Sequence, residues 1–138
     1  MTQTIAGRCL CGNVTLSAQI SKRAFAVCHC GMCRRWGGGP AFAVDVNNAR
    51  FSGEESIATY DSSDWGQRGF CKCCGTHLFY RLKTADYMNV SLGLLDHGDG
   101  FEFQSQIFVD AKPDCYSFAD RTLTMTEAEV LAKFGPPT

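Results

Sequence analysis

The strongest pattern along the chain is the alternation of Val14, Leu16, Ala18 and Ile20 with Thr15, Ser17 and Gln19. A period of two sends successive side chains to opposite faces of a pleated backbone, so residues 14–20 predict a strand with one buried face. Weaker β signals, carried by β-branched and aromatic residues, predict further strands at residues 24–28, 40–46, 56–60, 77–82, 87–94 and 105–109. Between them lie turn-forming clusters at Gly37-Gly38-Gly39-Pro40, Ser52-Gly53, residues 61–66 and residues 96–100. One helix has signals at both ends. Thr126 with Glu129 has the spacing of a capping box, while Gly135 can take a left-handed C-terminal position and Pro136-Pro137 cannot continue a helix. The helix is expected over residues 127–134, with Ala128, Leu131 and Phe134 on one packing face. Short strands dominate, so the expected class is mainly β with a short C-terminal helix.

Length and composition fit one domain spanning residues 1–138, with 45% hydrophobic residues to form a core. Thirteen Lys+Arg against fourteen Asp+Glu leave a net charge of -1, which lacks the footprint of a phosphate-backbone binder. No nucleic-acid partner is expected. The apolar stretches, 24–28 and 41–44, are far shorter than the roughly 20 residues a bilayer span needs, so no membrane partner is expected either. Residues 1–11 have neither a basic lead nor a continuous apolar segment, and the expected location is the cytoplasm.

The nine cysteines change the picture. Eight fall into three knots, Cys9 and Cys11, then Cys28, Cys30 and Cys33, then Cys71, Cys73 and Cys74, with Cys115 apart. Disulfide frameworks spread their cysteines, whereas metal knuckles bunch them, and an odd total also opposes full pairing. Cys71 and Cys74 form a C-x-x-C knuckle followed by Gly75, and with Cys9 and Cys11 they complete a tetrahedral set. These four are expected to hold a closed structural zinc coupled to folding. Cys28, Cys30 and Cys33 supply three ligands and leave a position open, the usual form of a catalytic zinc site. The competing reading closes that site with Cys73, Cys115 or His29; iron is the other metal that such thiolate sets accept.

Gly7-Arg8-Cys9-Leu10-Cys11-Gly12, Cys28-His29-Cys30-Gly31-Met32-Cys33-Arg34-Arg35 and Arg68-Gly69-Phe70-Cys71 through Cys74-Gly75-Thr76 together resemble the glutathione-dependent formaldehyde-activating enzyme family, which includes centromere protein V. The resemblance runs from about Gly7 to the closing helix. It implies a β-tent of small antiparallel sheets built around zinc, with two zinc ions per chain, the second labile. Cys9, Cys11, Cys71 and Cys74 match the family's structural site; Cys28, Cys30 and Cys33 match its catalytic site. The implied activity is that of a carbon–sulfur lyase, condensing formaldehyde or another small aldehyde reversibly with glutathione to S-hydroxymethylglutathione. A non-enzymatic, zinc-stabilised binding module of the same fold is the alternative.

A metal already carrying three thiolates is a weak Lewis acid, so thiol activation and positioning are expected rather than strong polarisation of the aldehyde. Glutathione carries two carboxylates, and Arg34 and Arg35 are the cations nearest the three-cysteine knot. His29 is the nearest candidate acid or base, although a residue between two ligands often points outward. Trp36 and the glycines after it read as a turn or as a lip with an aromatic wall. His77 and His97 carry weaker claims, and Arg68 is expected to brace the Cys71 knuckle. Cys73 and the run Lys112-Pro113-Asp114-Cys115 depart from the family's pattern.

Overall fold

The computed structural model describes residues 2–134. In chain order its elements are β1 (Gln3–Arg8), β2 (Thr15–Ile20), β3 (Ala24–Cys28), α1 (Gly31–Gly37), β4 (Ala41–Ser52), β5 (Ile57–Asp61), β6 (Gly66–Cys71), β7 (His77–Leu82), β8 (Met88–Ser91), β9 (Glu102–Ile107), β10 (Leu123–Met125) and α2 (Glu127–Phe134). The mainly β expectation is met. Hydrogen bonding links the strands in the order β10-β9-β3-β4-β8-β7-β6-β5, with β2 on β4 and β1 on β2. Pairing is antiparallel except where β9 lies parallel to both β3 and β10.

The tent shape comes from β4. Its first half pairs with β3 and β8, and its second half with β2. Between the halves Asn48 has φ of 50°, a left-handed conformation that asparagine tolerates better than most residues, and its amide donates to Gln19 Oε1 at 2.8 Å. The long strand therefore serves two leaves. On the inner face, Val14, Leu16, Ala18 and Ile20 are all buried with Val44, Val46, Leu78, Phe79 and Val90, as the alternation predicts.

Several elements depart from expectation. The strand expected at 40–46 continues to Ser52, because β2 supplies a partner for its second half. That expected at 87–94 ends at Ser91 and turns into a 3-10 segment over Leu92–Leu94. β1, β6, β10 and α1 were not anticipated. β6 contains Gly66, Gly69 and Arg68, a poor strand composition, and is made a strand by pairing on both edges with β5 and β7. The capping box of α2 forms as expected: Glu129 N–H donates to Thr126 Oγ1 at 3.2 Å, and Thr126 N–H to Glu129 Oε1 at 3.0 Å. Its expected packing face does not form. Ala128, Leu131 and Phe134 are exposed, and the helix is held at its start, where Glu127 N–H donates to Asp110 Oδ1 at 3.0 Å. The expected stop at Gly135 and Pro136-Pro137 lies outside the described residues.

Candidate metal centres

All nine cysteines are free thiols. The Sγ atoms of Cys9, Cys11, Cys71 and Cys74 lie within 4.8 Å of one another, and those of Cys28, Cys30 and Cys33 form a second group within the same limit. Tetrahedral ligands with metal–sulfur bonds of about 2.3 Å stand about 3.8 Å apart. The separations of 3.5 Å for Cys9–Cys11 and 3.8 Å for Cys11–Cys71 match that spacing, so the four-sulfur set fits a tetrahedral ion.

The four-cysteine cluster joins the β1–β2 turn to the β6–β7 turn. Cys9 N–H bonds Val14 O at 3.0 Å, and Val14 N–H points at Cys9 Sγ at 3.3 Å. In the second turn Gly75 N–H bonds Cys71 O at 2.7 Å, with Gly75 at φ of 80°, where a side chain would be strained. Thr76 ties the turns together, accepting from Leu10 N–H at 3.0 Å while its hydroxyl lies 3.2 Å from Cys74 Sγ. The Thr76 hydroxyl, followed by its backbone N–H, holds the Cys74 thiol down at about 5. Such support orients ligands and favours the deprotonated sulfur a metal needs.

The three-cysteine cluster is built by a strand end and a helix start. Cys28 ends β3, Cys30 caps α1, and Cys33 lies in its first turn with its N–H donating to Cys30 Sγ at 3.3 Å. Hydrogen bonds from Cys28 and then Cys33 hold Cys30 far below the usual thiol range, while the same bond to Cys30 pushes Cys28 up. Three sulfurs this close cannot all shed protons unaided, so the donor set suits a cation. His29, Cys73 and Cys115 are not part of this group.

His29 is fully buried. Its Nδ1 lies 2.8 Å from the Tyr116 hydroxyl and its Nε2 2.8 Å from Gln106 Oε1, while the Gln106 amide donates to Thr122 Oγ1 at 3.1 Å. Both ring nitrogens therefore have a polar partner, and Gln106 links the ring on to Thr122. Phe118 packs beside the ring, and Phe103 meets Phe118 edge-on. Arg34 Nε donates to His29 O at 3.0 Å, and Arg34 and Arg35 line a groove of about 580 Å³ together with Gly39, Pro40, Cys115 and Tyr116.

Trp36 faces the other way. Its ring stacks on His77 at 4.6 Å and meets Phe70 edge-on at 5.6 Å, so it packs, while Gly38, at φ of 82°, closes α1. Burial, aided by the Arg68 charge, holds His77 below its ordinary value. The backbone carbonyl of His97 accepts from Arg23. Cys73 lies on the exposed side of its turn, 3.8 Å from Ser56 Oγ. Arg68 does not brace the Cys71 knuckle. Residues three apart on a strand face opposite sides, and its Nη2 instead reaches Cys33 Sγ at 3.7 Å. Tyr116 and Gln106 carry no sequence motif, and Thr76 follows the Cys74-Gly75 pair without being a ligand type itself.

The family model for glutathione-dependent formaldehyde-activating enzyme matches residues 4–111. An uncharacterized lyase of Schizosaccharomyces pombe is 35% identical over 129 residues, covering 91% of this chain and 93% of that protein. A Rhodobacter sphaeroides protein solved in a structural genomics programme shares the fold, with a TM-score of 0.58 at 23% identity over 67% of this chain and 88% of the other.

Proposed function

Because the chain belongs to the glutathione-dependent formaldehyde-activating enzyme family, we propose that it is a zinc-dependent, carbon–sulfur lyase-like enzyme that joins glutathione reversibly to formaldehyde or another small aldehyde. The observation that carries this reading is the pairing of a four-sulfur set, complete as a tetrahedron, with a three-sulfur set that is one ligand short. Cys9, Cys11, Cys71 and Cys74 would hold the structural ion; Cys28, Cys30 and Cys33 would hold the exchangeable one, giving two per chain with the second labile. When bound at the second set, the ion supplies positive charge that favours a thiol's deprotonated form and leaves a ligand position free.

The chain's own residues bind, orient and shield. Arg34 and Arg35, on the groove wall, would hold the two carboxylates of glutathione, Arg35 from an exposed position and Arg34 with its Nε already bonded to the backbone. Tyr116 lines the same groove, and its hydroxyl is held by His29. The His29 ring is a positioning group in this account, since both nitrogens are taken and the side chain is sealed from the groove. In the reaction the sulfur electron pair forms a bond to the aldehyde carbon, the carbonyl π pair moves to oxygen, and that oxygen gains a proton while the thiol loses one. Nothing is oxidised or reduced.

Glutathione titration of the wild type and of Cys30→Ser, with circular dichroism as the fold control, tests the reading. Saturable binding in the wild type and its loss in a folded variant are expected. Equal binding by both would favour the non-enzymatic binding module.

A further inference from the structure

Arg68 is a buried cation without an anionic partner among the described residues. It is 6% exposed, its Nε has no hydrogen-bond partner, and the salt bridge found among the described residues is Lys83–Asp61. Removing a guanidinium from water is costly unless opposite charge or well-placed acceptors replace the lost hydration. The aromatic rings of Tyr80, at 5.1 Å, and Trp36, at 5.9 Å, offset a part. The remaining contact is Cys33 Sγ, 3.7 Å from Nη2.

The position on β6 explains the reach. Arg68 and Phe70 share the face that meets Trp36, whereas Cys71 faces the core and the other cluster. One strand thus contributes a ligand to the four-cysteine set and a positive charge to the three-cysteine set.

Charge arithmetic gives that placement a purpose. Three thiolates around a divalent ion carry one net negative charge, and an anionic fourth ligand raises it to two in a partly buried site. A neutral fourth ligand adds nothing. We infer that Arg68 is the countercharge that lets the three-cysteine centre accept an anionic fourth ligand, and so selects a thiolate over neutral ligands of similar size. The inference deepens the proposed function and rests on the open three-cysteine centre.

The test uses the full chain with cobalt in the three-cysteine centre, followed by visible absorption while thiocyanate, an anion, or imidazole, a neutral ligand, is added. Wild type, Arg68→Gln and Arg68→Lys are compared. Arg68→Gln is expected to weaken thiocyanate binding by about 10-fold or more while changing imidazole binding less than about twofold. Arg68→Lys, which keeps the charge, is expected to recover much of the thiocyanate affinity. Parallel loss of both ligands would overturn the inference by showing a merely structural role, and so would unchanged thiocyanate binding. A wild-type spectrum indifferent to both ligands would remove the open centre itself, a different failure. If Arg68→Gln fails to fold, Arg68→Lys decides alone: selective retention of thiocyanate supports the countercharge, and its loss contradicts it.

Discussion

The Tyr116 hydroxyl joins the groove to the buried histidine, and its removal is a clean test of what His29 does. Phe at position 116 keeps the ring and leaves His29 Nδ1 without its partner in a fully buried site. An unsatisfied buried polar group costs about 1–3 kcal/mol, so Tyr116→Phe is expected to lower the urea midpoint by that equivalent with an unchanged slope and unchanged metal content. Loss of metal with no loss of stability would contradict the positioning role. At this scale the sequence was uneven as a guide. The two cysteine clusters were legible because metal geometry restricts ligand spacing, whereas the direction of Arg68 follows only once residues 66–71 are seen to form a strand, where alternation from Cys71 puts it on the opposite face. The partner of His29 was not, because Tyr116 sits in a loop 87 residues away with no periodic signal.

Among the elements, β6 separates the two centres, and Gly69 makes that possible. A Cβ there would stand 2.2 Å from the Phe79 ring, which lies directly across the β6–β7 ladder. Gly69→Ala is expected to destabilise the fold by about 1–3 kcal/mol, and Gly69→Ala combined with Phe79→Leu to recover part of the loss in thermal unfolding. A neutral effect of the single change would show that β6 can shift without cost, contradicting its role as a fixed partition. β2 was readable because one face is buried and the other exposed, which imprints a period of two. β6 was hidden because its side chains serve two different environments on its two faces, and both suppress ordinary strand composition. α2 was readable at its start, where capping is local, but not in its packing, which depends on what lies opposite.

For the whole molecule, the four-cysteine cluster connects turns 60 residues apart and fastens the first hairpin to the leaf that carries Arg68. The three-cysteine cluster uses neighbouring residues and closes no comparable loop. Loss of the first metal should therefore cost folding free energy that loss of the second does not. The division into a closed centre and an open one is most directly tested by elemental mass spectrometry of metal per chain, on protein purified under reducing conditions, before and after incubation with excess glutathione. Roughly two ions per chain falling toward one, with the fold retained, is the expected result. Roughly two ions that glutathione leaves untouched would show two closed structural centres and contradict the account.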